Sequence, residues 1–123
     1  MTDTPDIEAP VYKILPGAEW REAQALGAFR GSGIDHEDGF IHFSTAAQMR
    51  ETAARHFAGR DGLVLVAFDG AALARLGDAY RYEPSRGGDL FPHLYGEAPL
   101  DAVIAVHDLP RDEGGAHVFP AGA

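Results

Sequence analysis

The sequence predicts an α+β domain, and three observations carry that prediction. Short stretches of strand character and of helical periodicity follow one another without regular alternation, which argues against a βαβ plan. The run at residues 63–68, LVLVAF, is apolar on both parities, so it belongs inside a sheet with both faces covered. The chain has 123 residues and no cysteine, so one packed core must hold it together without staples. The same absence excludes disulfides, thiolate zinc sites, iron–sulfur clusters and a cysteine nucleophile.

Each element follows from local chemistry. Residues 1–10 carry three acids and two prolines and read as a flexible acidic tail. Residues 11–15 form a strand, stopped by Pro16-Gly17. Residues 18–26 form a helix with Trp20, Ala23 and Leu26 on its buried face and Gly27 as its stop. A polar loop through residues 30–39 leads to a strand at 40–44. Thr45 with Gln48 matches a capping box, so a helix should start there and run to about Phe57. Met49, Ala53 and Phe57 are its apolar stripe, and Glu51 with Arg55 its wet side. After the central strand come a short helix at 71–76 and a strand at 80–83. A Pro/Gly-rich loop follows at 84–89, then an aromatic segment at 90–96. Pro92 marks that segment as an edge or a loop. The last strand covers 102–106. The globular domain is thus 11–108, and 109–123 reads as a second flexible tail.

Nineteen acids against ten bases give a formal charge of −9. Nucleic acid and anionic membrane both repel such a polyanion, so neither is expected as a partner. Lys13 is the one lysine, so a positive site would be built of arginine. The first ten residues show no basic start and no apolar run, and no apolar stretch is long enough to span a bilayer. A cytoplasmic address is expected.

Three segments carry candidate chemistry. In a strand at 40–44, Ile41 and Phe43 share one face and His42 and Ser44 the other. With a helix starting at Thr45, free N–H groups and a positive dipole end would lie beside an imidazole and a hydroxyl, a setting suited to a ribose and a phosphate. Two readings of His42 stand: a ligand-facing imidazole, or a structural histidine beside a helix cap. In the second segment, extended geometry puts Phe91, His93 and Tyr95 on one side, where the rings could hold a planar ligand by stacking or simply anchor a loop. In the third, Arg81 and Glu83 share a face, with Arg86 close behind. They either pair with each other or meet a phosphate and take a proton. The six histidines have no zincin spacing, and no metal site is expected.

At these motifs the chain resembles a small bacterial family of domains of unknown function. The resemblance rests on VYKI at 11–14, Glu19-Trp20, DGFIHFST at 38–45, Gln48, TAARHFAG at 52–59, LVLV at 63–66, RYE at 81–83 and GGDLFPHLYGEAPL at 87–100. Such families are sometimes labelled as glutathione S-transferase domains, but this chain is too short for that two-domain plan. The resemblance implies an ADP-ribosylation-like fold of two small packed, mainly antiparallel sheets with two to three short helices. It further implies a nucleotide or NAD-like pocket. His42 would bind the ribose next to the nicotinamide, Ser44 or Thr45 would be its neighbour, Tyr95 or His93 would line the ring pocket, and Glu83 would be the catalytic acid. A small-molecule ligand, with NAD as ligand or substrate, is therefore expected. The related RNA phosphotransferases carry more basic residues, and the −9 charge argues against that branch. A binding module, an NAD-consuming transferase or glycohydrolase, and a metal-dependent hydrolase all remain open.

Overall fold

A computed structural model describes residues 5–85 and 88–121. Nine strands and four α-helices follow in the order β1 (Val11–Pro16), α1 (Gly17–Leu26), β2 (Ala28–Phe29), α2 (Asp35–Asp38), β3 (Ile41–His42), β4 (Ser44–Thr45), α3 (Met49–His56), β5 (Leu63–Phe68), α4 (Gly70–Ala74), β6 (Tyr80–Pro84), β7 (Leu90–Leu94), β8 (Ala98–Pro99) and β9 (Val103–Asp108), all among the described residues. The larger sheet has the order β4-β1-β5-β9, the smaller one β3-β7-β6, and β2 pairs with β8 alone. Every pairing is antiparallel, so the α+β class holds. No helix among the described residues is long and apolar enough to cross a membrane.

The central strand sits where its two apolar parities require. On one face of β5, Val66 and Phe68 join Val11, Leu15, Trp20, Phe29, Phe43 and Leu94 in one core. On the other, Leu63, Leu65 and Ala67 join Tyr12, Ile14, Met49 and Ala53 in a second. The first core is knitted by edge-on aromatic contacts: Trp20 to Phe68 at 6.3 Å between centroids, and Phe43 to Phe68 at 5.2 Å.

Several sequence expectations are corrected. The strand expected at 40–44 breaks at Phe43. Ile41 and His42 pair with β7, whereas Ser44 and Thr45 pair with β1. The helix expected from Thr45 begins at Met49, because Thr45 is used by Val11 across the sheet. Half of the capping box survives, since the Thr45 N–H donates to Gln48 Oε1 at 3.0 Å. Leu26 is exposed rather than buried, because Gly17, Trp20 and Ala23 form the buried stripe and a spacing of three drifts round the helix. Most instructive is β7, which is central in its sheet despite Pro92. The Pro92 carbonyl accepts the Phe43 N–H at 2.9 Å. In an antiparallel strand a residue's nitrogen faces the same way as its carbonyl. The missing N–H therefore faces Phe43 at the break between β3 and β4, where the ladder to β3 ends, and the one bond forgone is the return bond to the Phe43 carbonyl.

Residues at both ends of the described chain make contacts with the domain. Leu109 is buried in the second core and Phe119 packs against it. Arg111 donates twice to Asp61 at 2.8 Å, and His117 Nε2 lies 2.9 Å from the Arg60 carbonyl. At the other end, residues 7–9 lie over the start of α4. A Cβ built on Gly70 would stand 2.1 Å from the Ala9 carbonyl oxygen.

Gly70→Ala should therefore destabilise the protein by about 1–3 kcal/mol, the usual cost of overpacking. Thermal unfolding checks this. In a chain lacking residues 1–9, the same substitution should cost almost nothing.

Candidate functional site

The break at Phe43 creates the site. Residues 44–45 pair with β1 and residues 41–42 leave for the other sheet. Beyond Tyr12, β1 keeps a strand partner on its β5 side only. The wedge so opened is a cavity of about 530 Å³, walled by β1, the 32–35 stretch, α3 and β7. That volume lies within the range usual for small-molecule sites.

Two histidines face each other across the β3–β7 pairing. His42 and His93 are register partners, and their rings meet edge-on with centroids 5.1 Å apart. Phe40 packs on both rings, 4.5 Å from His42 and 4.4 Å from His93. Both imidazoles line the cavity.

Each is oriented by a carboxylate at Nδ1. His42 Nδ1 lies 2.7 Å from Asp35 Oδ1 and His93 Nδ1 lies 2.8 Å from Glu83 Oε1. The Tyr95 hydroxyl donates to the same Glu83 oxygen at 2.7 Å. Burial lowers the His93 imidazole below its ordinary value, against the opposing pull of Glu83. A neutral ring donates from Nδ1 to Glu83, which leaves Nε2 as an acceptor. Hydrogen bonds from His93 and Tyr95 in turn hold the Glu83 carboxyl below its usual range.

Asp35 is the most heavily used side chain in the site. It is 3% exposed. Its Oδ2 receives the Lys13 ammonium at 2.7 Å and the Ser32 N–H at 2.9 Å. Its Oδ1 receives the His42 N–H at 3.1 Å besides the ring nitrogen. Burial pushes this carboxyl up, but the His42 hydrogen bond and the Lys13 charge outweigh it and hold the group below the ordinary range. Burial likewise draws the Lys13 ammonium down against the pull of Asp35. Lys13 Nζ also donates to the His42 carbonyl at 2.7 Å. Gly31 makes room for this cluster: its φ is +113°, and a Cβ there would lie 2.9 Å from Asp35 Cβ. Asp38 adds a second carboxylate, its Oδ2 3.0 Å from His42 Nε2. Among the described residues, no group of three or more His, Cys, Asp or Glu side chains is placed to hold a metal ion.

The family model for the protein of unknown function DUF952 matches residues 14–106, which is most of the chain. The chain belongs to the DUF952 family. It is similar in structure to protein CC0527 from Caulobacter crescentus. Against the X-ray structure of that protein the TM-score is 0.82 at 44% identity, covering 89% of this chain and 94% of that one. A double mutant of CC0527 gives 0.83 at 43% identity with the same coverage. Its solution NMR structure gives 0.75 at 44% identity, covering 87% and 90%. Among curated proteins, none matches.

On this DUF952 scaffold, His42, Ser44, Phe91 and His93 line one cavity, so the two motif segments converge. Thr45, Arg81, Glu83 and Tyr95 are not in its wall. Ser44 is buried and its hydroxyl meets Thr52 Oγ1 at 2.8 Å. The helix-start anion site expected beside Ser44 and Thr45 is not formed, because the Thr45 N–H is taken and α3 starts four residues later. Arg81 lies over the Tyr95 ring at 4.9 Å and donates to the Asp78 carbonyl. It reaches Glu83 only at 4.0 Å. Arg86 lies outside the described residues.

Sequence reasoning missed Lys13 and Phe40, and it weighed Asp35 and Asp38 only as companions of the histidines in a metal site that it set aside. A signal for Lys13 was present: it shares strand parity with Val11 and Leu15, which points it inward and demands a buried carboxylate.

Asp35→Ala should lower the unfolding free energy by about 3–5 kcal/mol, because it leaves the Lys13 charge buried and uncompensated. Urea unfolding checks it. His93 supplies a pH prediction. Its folded-state pKa is depressed, so the unfolded chain takes up the proton first as pH falls below the ordinary value of 6.5. Stability should decline on acidification through that region, and His93→Gln should flatten this part of the curve of urea midpoint against pH.

Proposed function

We propose that this DUF952 chain is a small-ligand-binding domain whose cavity takes a nucleotide-like or NAD-like molecule. The observation that carries the reading is the pair of carboxylate-oriented imidazoles, His42 and His93, in the wall of one cavity of about 530 Å³. The charges in that wall are polarised. Glu19, Asp35 and Asp38 gather around the 32–35 stretch with Lys13 as their counter-charge, while Arg60 comes from the turn beyond the C-terminal end of α3. A ligand with a cationic ring at one end and phosphates further along matches this polarity. The hydroxyls of Ser32, Ser44 and Thr52 and the rings of Phe57 and Phe91 supply polar and planar surfaces between. Packed four- and three-stranded antiparallel sheets are compatible with an ADP-ribosylation-like plan. The net charge of −9 disfavours nucleic acid as the partner.

A second reading, cleavage of the ligand's glycosidic bond, rests on one observation. The Asp35–His42 contact orients an imidazole as acid–base enzymes do. In that reading Glu83 acts through His93, which it hydrogen-bonds, rather than on the ligand.

The test is thermal unfolding with NAD, ADP-ribose and AMP on the wild type, His42→Ala and His93→Ala. A ligand at a hundred times its Kd adds about 2.7 kcal/mol to stability, a rise of roughly 10 °C in Tm. Such a rise in wild type, lost in both variants, is the expected result. Equal rises in all three, or no rise with any probe at millimolar concentration, overturn the reading. Turnover of NAD, abolished in folded His42→Ala, would favour the second reading.

A further inference from the structure

Between Phe29 and Phe40, both anchored in rings of the core or the site, the only buried side chain is Asp35. Ile34, the one large apolar residue of this stretch, is exposed. Polar contacts hold the segment: Arg30 to Glu97, Ser32 to Glu19, Asp35 to Lys13 and His42, and Asp38 to His42. Residues 32–35 and Asp38 also form one wall of the cavity. His42 is the side chain that clasps both ends of α2, with Nδ1 on Asp35 and Nε2 on Asp38.

Both clasps require donors, because carboxylate oxygens only accept. They coexist as hydrogen bonds only when the ring carries a proton on each nitrogen. When one proton leaves, Asp35, buried and already central, keeps the Nδ1–H. The Nε2 lone pair then faces Asp38 Oδ2 at 3.0 Å, and an attraction becomes a repulsion. The charged and titratable groups around His42 are Asp35 and Asp38 from α2, Lys13 from β1 through the His42 carbonyl, and His93 from β7 with Glu83 of β6 behind it. None of these supplies a donor to Nε2 in the structure.

We infer that the Asp38 end of α2, residues 36–39, is a proton-operated flap at the edge of the cavity, latched by His42 to Asp38 and released when His42 loses its second proton, while Asp35 stays anchored. The latch belongs to the protein itself. Its control of ligand entry rests on the cavity being the ligand site.

Hydrogen exchange reads the latch directly. The amides of Glu37 and Asp38 bond the Ile34 carbonyl and that of Gly39 bonds the Asp35 carbonyl, so each reports release of residues 36–39, whereas the Ser32 amide bonds the anchored Asp35 and should not change. Protection factors, already corrected for intrinsic exchange, should be roughly tenfold lower at pH 8 than at pH 5, the scale of one charged hydrogen bond. The β5 amides should not change. In Asp38→Asn the amide group either donates to or accepts from Nε2, so protection should no longer depend on pH. In Asp38→Ala it should be low at both pH values. Unchanged wild-type protection, a matching loss in β5, or the wild-type pH response persisting in Asp38→Asn or Asp38→Ala would each overturn the latch. No ligand is present in the measurement, so its failure leaves the binding proposal standing, and a failed ligand screen leaves the latch intact.

Discussion

The buried pair of Lys13 and Asp35 is the contact on which the site depends. Removing two charges from water costs several kcal/mol for each, and a lone ion pair seldom recovers it. Here the carboxylate collects four donors, from Lys13, the Ser32 backbone and both the backbone and ring of His42. Those donors come from three stretches of chain with few apolar contacts in common. One carboxylate therefore ties the central sheet, the loop after β2 and the smaller sheet into a single geometry. The cost of burial is offset by a specificity that apolar packing could not give, because a hydrocarbon side chain at position 35 would fix none of these directions.

Around that cluster the two sheets divide their duties. The four-stranded sheet carries both cores and fixes the position of β1. The three-stranded sheet presents His42 and His93 side by side. Phe40 packs on both rings and also on Tyr95, so three side chains of mixed polarity share one apolar support. The outer end of this arrangement, Glu83 with Tyr95 and Arg81, is solvent-facing and lies behind His93 rather than in the cavity wall. The site is thus layered from a charged interior near Asp35 through two imidazoles to a polar exterior.

Much of the fold was legible because its signals are local. The double-parity run at β5, the Gly27 stop after α1 and the short strand at β6 each declare themselves within a few residues. Convergence of the two histidine segments was also legible, although only as a requirement of the motifs. What escaped depends on contacts distant in sequence. No local rule says that the chain at Phe43 changes sheets, because residues 41–45 read as one extended run. No propensity says that Pro92 is tolerated in a middle strand, since that depends on where β3 ends. The role of Asp35 was hidden because an aspartate in a Gly-rich acidic loop reads as solvated. Its burial is forced by Lys13, 22 positions earlier by the numbering. Leu109 and Phe119 were hidden for a similar reason: they lie in the stretch expected as a tail, and their core is built from β5 and α3, distant in sequence.

The change of sheet at Phe43 has a mechanical consequence. Both sheets are fastened to the same short piece of backbone, and a single fully buried aromatic is the joint between them. Any rocking of one sheet on the other must twist the dihedral angles of that residue, and its ring is wedged against Phe68. The gape of the cleft is thereby resisted at one buried hinge point, whose ring must be displaced before the sheets can rock.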